Sequence, residues 1–113
     1  MKKFIVIYHT PVEVAKQMAN ASKEDHAKGM EAWMTWAQKC GDKLVDLGSP
    51  LMNGQRLSPG GKSTNSDKEV NGYSILQAAD MKEAISLLQE HPHLGWNADC
   101  TIEVHESMPL PGM

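Results

Sequence analysis

Apolar positions run along this chain in two rhythms. Phe4, Ile5, Val6, Ile7, Tyr8 and His9 form an almost unbroken β-prone run, the pattern of a strand covered on both faces, and Thr10-Pro11 closes it. From Lys23 to about Asp46 the period lengthens: Met30, Trp33, Ala37, Cys40 and Leu44 recur at intervals of three and four, the spacing of one helix face. Met34, Trp36 and Val45 widen that face enough to touch two neighbours. Ser22 with Asp25 supplies an N-cap pattern, and Gly48 before Ser49-Pro50 a terminator. The intervening Val12 to Ala21 is compatible with a short helix or an irregular lead-in.

The second half repeats this scheme. Leu51 to Leu57 carries a weak strand signal interrupted by Asn53, Gly54 and Gln55, and Ser58 to Gly72 reads as a loop or an extended hairpin. Tyr73 to Ala78 has strand character. Asp80 and Glu83 form an acidic capping pattern ahead of Met81, Ala84, Ile85 and Leu88, a helical stripe widened by Leu87, and Pro92 stops that helix. After a connection containing Leu94 and Trp96, the last strand alternates Ile102 and Val104 against Thr101, Glu103 and His105. The predicted order is strand, helix, strand, strand, helix, strand: an α+β chain, one domain over residues 1–113, with the ferredoxin-like βαββαβ arrangement of a four-stranded antiparallel sheet. Helices on one face leave the other open. The apolar first strand and the set Tyr73, Ile75 and Gln77 are then covered if two subunits stack sheet on sheet, which predicts a homodimer.

Composition narrows the class without choosing a reaction. A formal charge of −3 over 113 residues, with no basic cluster, argues against nucleic acid. Two cysteines, Cys40 and Cys100, are too few for a disulfide framework. The apolar run after Met1-Lys2-Lys3 is too short for a signal sequence or a membrane span, so a soluble cytoplasmic protein without a membrane partner is expected.

Four segments together are similar to the YCII-related family. They are Trp33 and Trp36 in the first long helix, LVDLGSPL from Leu44 to Leu51, GYSILQAAD running into MKEAISLLQEHPHL, and the closing IEVHESMPL. The similarity extends over nearly the whole chain. It implies the dimeric α/β-barrel form of the ferredoxin-like fold. It also implies a His and Asp pair as the active site, whose nearest positions here are His26 and Asp46. Most YCII-like members have no assigned activity, so the resemblance implies no particular reaction. Where the related DGPF group carries Asp-Gly-Pro-Phe, this chain reads Ser66-Asp67-Lys68-Glu69-Val70-Asn71.

Read from the residues alone, the strongest chemical candidate is Glu103 with His105. They lie two apart on one strand face, where a carboxylate beside an imidazole can shuttle a proton; a polar cross-strand pair at an interface is the alternative. His9 is a candidate neighbour. Tyr8, His9, Trp33, Trp36, Tyr73 and Gln77 are candidate ligand contacts, the two tryptophans equally readable as packing anchors. His91 and His93 flank Pro92 without a third ligand in register, so no metal and no cofactor is assigned, and His91 reads as a C-terminal helix cap. Gly60-Gly61-Lys62-Ser63 fails as a phosphate loop because Arg56 stands where a glycine is needed and no helix follows. Cys40 has no activating cation beside it in sequence and reads as packing. Three functions are open: a dimeric small-molecule binding protein, an isomerase- or lyase-type enzyme using a His/carboxylate pair, or a dimerisation module without ligand.

Overall fold

The structure is a computed structural model that describes residues 1–112. Four strands make the main sheet: β1 (Lys2–His9), β2 (Leu44–Pro50), β5 (Val70–Ala78) and β6 (Thr101–Glu106). A separate two-stranded hairpin pairs β3 (Gln55–Leu57) with β4 (Ser63–Asn65). Helices α1 (Val12–Ala19) and α2 (Lys23–Cys40) follow β1, and α3 (Met81–Leu88) and α4 (Pro92–Trp96) lie between β5 and β6. The main sheet has the order β2-β5-β1-β6 and every neighbouring pair is antiparallel. Among the described residues no helix is long and apolar enough to cross a membrane.

Pleating sorts the side chains of the two central strands. Phe4, Val6 and Tyr8 of β1 are buried beside Ser74, Leu76 and Ala78 of β5, and they pack against Trp36 and Cys40 of α2 and Ala84 and Leu88 of α3. Ile102 and Val104 extend this core from β6. The intervening residues face the other way. Ile5 lies opposite Ile75 and His105, and Ile7 opposite Tyr73 and Glu103. Among the described residues no helix covers them, and in the single chain they are only partly buried.

The continuous apolar run of β1 therefore has one buried face and one half-buried face. Tyr8 reinforces the sheet from inside: its hydroxyl lies 2.8 Å from Ser74 Oγ, which in turn donates to the Leu47 carbonyl at 2.6 Å, tying β1 to β2 across β5. Burial pushes the Tyr8 phenol up to about 12.

Two expected boundaries are corrected. The long helix ends at Cys40, not Asp46, because Gly41 takes a left-handed φ of 57° and a single 3-10 turn, Gly41–Lys43, follows. Leu44 to Asp46 then belong to the second strand, which is Leu44–Pro50 and not Leu51 to Leu57. Leu44 faces the core from either element, so the helical spacing runs on past the point where the helix ends. Gly48 is likewise no helix terminator. It lies within β2 at φ 80°, and a Cβ there would collide with the Tyr73 carbonyl. The third sheet strand starts at Val70, three residues before Tyr73, and the hairpin reading of Ser58 to Gly72 matches β4 and its turn.

Elsewhere local chemistry and structure agree. Val12 to Ala21 contains a helix. Ser22 Oγ accepts from Asp25 N–H at 3.1 Å, and Asp80 Oδ1 from Glu83 N–H at 2.9 Å. Glu83 reaches back to the Ala79 N–H at 3.0 Å and also receives Lys43 Nζ at 2.8 Å, a bond that holds its carboxyl below the usual range. One side chain thus joins the start of α3 to the start of β2.

Candidate functional site

On the open sheet face one carboxylate stands between two imidazoles. Glu103 and His105 occupy alternate positions of β6, so pleating directs both outward, and antiparallel pairing sets them opposite Ile7 and Ile5. His105 Nε2 donates to Glu103 Oε1 at 2.9 Å, and His9 Nε2, at the end of β1, lies 3.7 Å from Glu103 Oε2. His105 chiefly, and His9 secondarily, hold the Glu103 carboxyl below the usual range. The other nitrogen of His9, Nδ1, donates to the Lys68 carbonyl at 3.2 Å. Nε2 therefore points a lone pair, or a proton when the ring is charged, toward Glu103; it is buried and has no hydrogen-bond partner.

Such a set can hold or pass a proton beside an apolar floor of Ile5, Ile7 and Ile75. In the single chain it is open: the side chains of Glu103 and His105 are 59% and 64% exposed. Enclosure needs a second layer.

The other aromatic and histidine candidates gather on the opposite, helix-covered face. Tyr8 meets Trp33 edge-on at 4.8 Å, and His91 stands 4.4 Å from Trp33, 4.3 Å from Trp36 and 4.9 Å from Tyr8. Trp36 donates its indole N–H to the Leu87 carbonyl at 2.8 Å. Tyr8, Trp33 and Trp36 are thus separated by the sheet from Glu103 and His105, whereas His9, Tyr73 and Gln77 share their face. Gln77 donates to the Asp42 carbonyl at 2.6 Å.

His91 is not a C-terminal cap, which corrects the expectation. Its Nδ1 accepts the His93 N–H at 2.9 Å, making it the N-cap of α4 with Pro92 in the first turn. The missed signal was the proline itself, whose φ suits a helix start as well as a stop. Accepting at Nδ1 puts the neutral ring's proton on Nε2, which is buried, has no hydrogen-bond partner and sits among indole rings. Desolvation pulls the His91 imidazole down to about 3, with His93 nearby adding to the effect. His93 Nε2 donates to the His9 carbonyl at 3.0 Å, linking this inner cluster to the end of β1.

His26 and Asp46 are each engaged locally. His26 Nε2 donates to the Met18 carbonyl at 2.7 Å, and Asp46 accepts from Gly48 N–H at 2.8 Å; both residues are exposed and no hydrogen bond joins them. Cys40 is buried and its thiol is pushed up by desolvation. Gly60 and Gly61 form the turn between β3 and β4, so the glycine-lysine-serine stretch is a hairpin tip.

Two surface hollows lie away from the carboxylate. One, of 490 Å³, runs between α2 and the α3–α4 corner along Thr35, Trp36, Leu87 and Pro92; the other, of 610 Å³, lies beside Lys2, Lys3 and Met108. Among the described residues no three His, Cys, Asp or Glu side chains converge as a metal ion would require. In comparisons with known proteins, no family model matches this chain, and no curated protein matches it either.

Proposed function

We propose that this chain is a YCII-related cytoplasmic protein of the ferredoxin-like, dimeric α/β-barrel type, which binds a small molecule between two stacked sheets. The observation that carries this reading is the open face itself. Ile5, Ile7, Tyr73 and Ile75 form an uncovered apolar floor, and at its edge stands the polar set His9, Glu103 and His105. A floor of that kind favours a second apolar layer, and two-fold stacking supplies one from the same residues. The strand order β2-β5-β1-β6, with helices against one face, supports the ferredoxin-like assignment.

The test is sedimentation equilibrium at micromolar concentration, followed by amide NMR screening of small carboxylates and carbonyl compounds. A dimer whose Ile5, Ile7, Ile75 and His105 signals shift with a ligand, less so in His105→Ala, is expected. A monomer throughout, or shifts confined to the helix side, overturns the reading. A dimer without any ligand response fits a dimerisation module instead.

The Glu103–His105 bond of 2.9 Å favours a second reading, an isomerase or lyase in which His105 is the general base and Glu103 orients it. Turnover of a small carbonyl compound, abolished in both His105→Ala and Glu103→Gln, is its signature. Turnover that survives both substitutions excludes it.

A further inference from the structure

The β3–β4 hairpin is a well-formed arm that its own chain leaves bare. Ser58 N–H donates to the Lys62 carbonyl at 2.8 Å and Gly61 N–H to the Ser58 carbonyl at 2.9 Å, and Gly60 at φ 94° makes the Pro59-Gly60 corner a type II turn. Gln55 bonds Asn65 and Ser63 across the strands, and Ser66 N–H closes the base on the Gly54 carbonyl at 2.9 Å. Yet every residue from Leu51 to Val70 is exposed, with Leu57 at 71%. A lone two-stranded hairpin is marginal in water. The projection also enlarges the chain: the radius of gyration is 15.6 Å, against about 13 Å for a compact domain of this length.

Three observations identify the cover. The first is area. The four strands, of 8, 7, 9 and 6 residues, present a planar footprint of roughly 500 Å², and a covering arm would extend that contact toward the roughly 800 Å² of accessible surface per partner that stable interfaces bury. The second is charge. Residues 55–65 hold Arg56 and Lys62 and no acid, a formal +2 that leaves −5 on the rest of a chain whose total is −3, and neither cation is in an ion pair among the described residues. The third is position. The arm springs from the end of β2 and the start of β5, the same end of the sheet as His9 and the start of β6, and its base touches His9 through the Lys68 carbonyl.

We propose that the arm crosses to a second copy of this chain and lies over that copy's His9–Glu103–His105 cluster, bringing Arg56 and Lys62 to Glu103. A two-fold axis along the strands places the β2 edge of one sheet over the β6 edge of the other with like ends together. That operation carries each arm to the partner's Glu103. The site is then composite, with the proton-holding groups from one subunit and the cations from the other, which suits a small anionic ligand. This inference rests on the stacked-sheet reading above.

The experiment compares three proteins by sedimentation equilibrium: the full chain, a chain with Gln55–Asn65 replaced by Gly-Gly across the bonded Gly54–Ser66 base, and Arg56→Ala/Lys62→Ala. The double substitution is confined to exposed side chains and keeps the test valid if the shortened chain misfolds. At a concentration where each protein is dimeric, carbon NMR follows the Glu103 carboxyl. The expected result is a dimer weakened at least tenfold by shortening, with the Glu103 midpoint raised by about one pH unit in the double variant, since an opposite charge within a few ångströms shifts a carboxyl by that order. A full-length monomer overturns the stacked-sheet reading and the arm together. A full-length dimer whose affinity is unchanged in both variants overturns the arm alone, as does a Glu103 midpoint that does not move.

Discussion

His91 shows how one residue can set a pH limit on the whole fold. Its ring is held neutral among Tyr8, Trp33 and Trp36, with the imidazole down at about 3 against an ordinary 6.5. His93, two residues along, is shifted downward in the same direction, chiefly by burial. A histidine depressed by folding binds its proton more readily in the unfolded chain, so its contribution is complete above about pH 6.5 and declines as pH falls toward 3. The whole window corresponds to at most about 5 kcal/mol. Urea unfolding between pH 7 and 6 spans the ordinary histidine range while lying well above the ordinary carboxylate range. We expect stability to fall with pH across that range, and His91→Asn, which keeps an N-cap acceptor but cannot titrate, to flatten the slope. An unchanged slope in that variant would place the effect elsewhere. Gly48 is a second single-residue constraint: Gly48→Ala combines a left-handed φ with a collision against the Tyr73 backbone, and thermal unfolding should show a loss of about 2–4 kcal/mol.

At the scale of elements, α3 was legible in the sequence and β2 was not. The start of α3 is written in adjacent residues: Asp80 caps Glu83 N–H, and the apolar stripe begins at Met81. Asp80→Ala should therefore cost about 1 kcal/mol by chemical denaturation. In β2 the information is not local. Leu44 and Leu47 face the core at a spacing that suits a helix as well as an irregular strand, and the pairing with β5 is broken by register shifts on both sides of Asp46. Only the partner strand makes the segment extended. The same limit separated the aromatic candidates. Tyr8 and His9 are neighbours in sequence, but pleating sends one into the helix-covered core and leaves the other beside Glu103, and no feature of the sequence says which face the helices take.

For the whole molecule, adjacent residues of β1 should report on different assemblies. Phe4 is fully buried in the single chain, whereas Ile5 is only partly buried on the open face. Phe4→Ala should lower the stability of any assembly state by about 3–5 kcal/mol. Ile5→Glu should leave the single-chain fold in place, by circular dichroism, while abolishing dimer formation in sedimentation. A dimer that tolerates a charge at position 5 would require a different interface.

The sequence by itself determined the types of β1, α2, α3, β5 and β6, the N-caps of α2 and α3, and the alternation that makes one face of β6 apolar and the other polar. These follow from interactions within a few residues, where propensity, capping and period act. The tertiary structure alone decided that Gly41 ends the long helix, that Gly48 fits beneath the Tyr73 carbonyl, and that His91 caps α4 within an aromatic cage. It alone brought His9 to Glu103. Each of these depends on strands distant in sequence meeting in one register, because backbone pairing and close packing fix distances that no local pattern encodes.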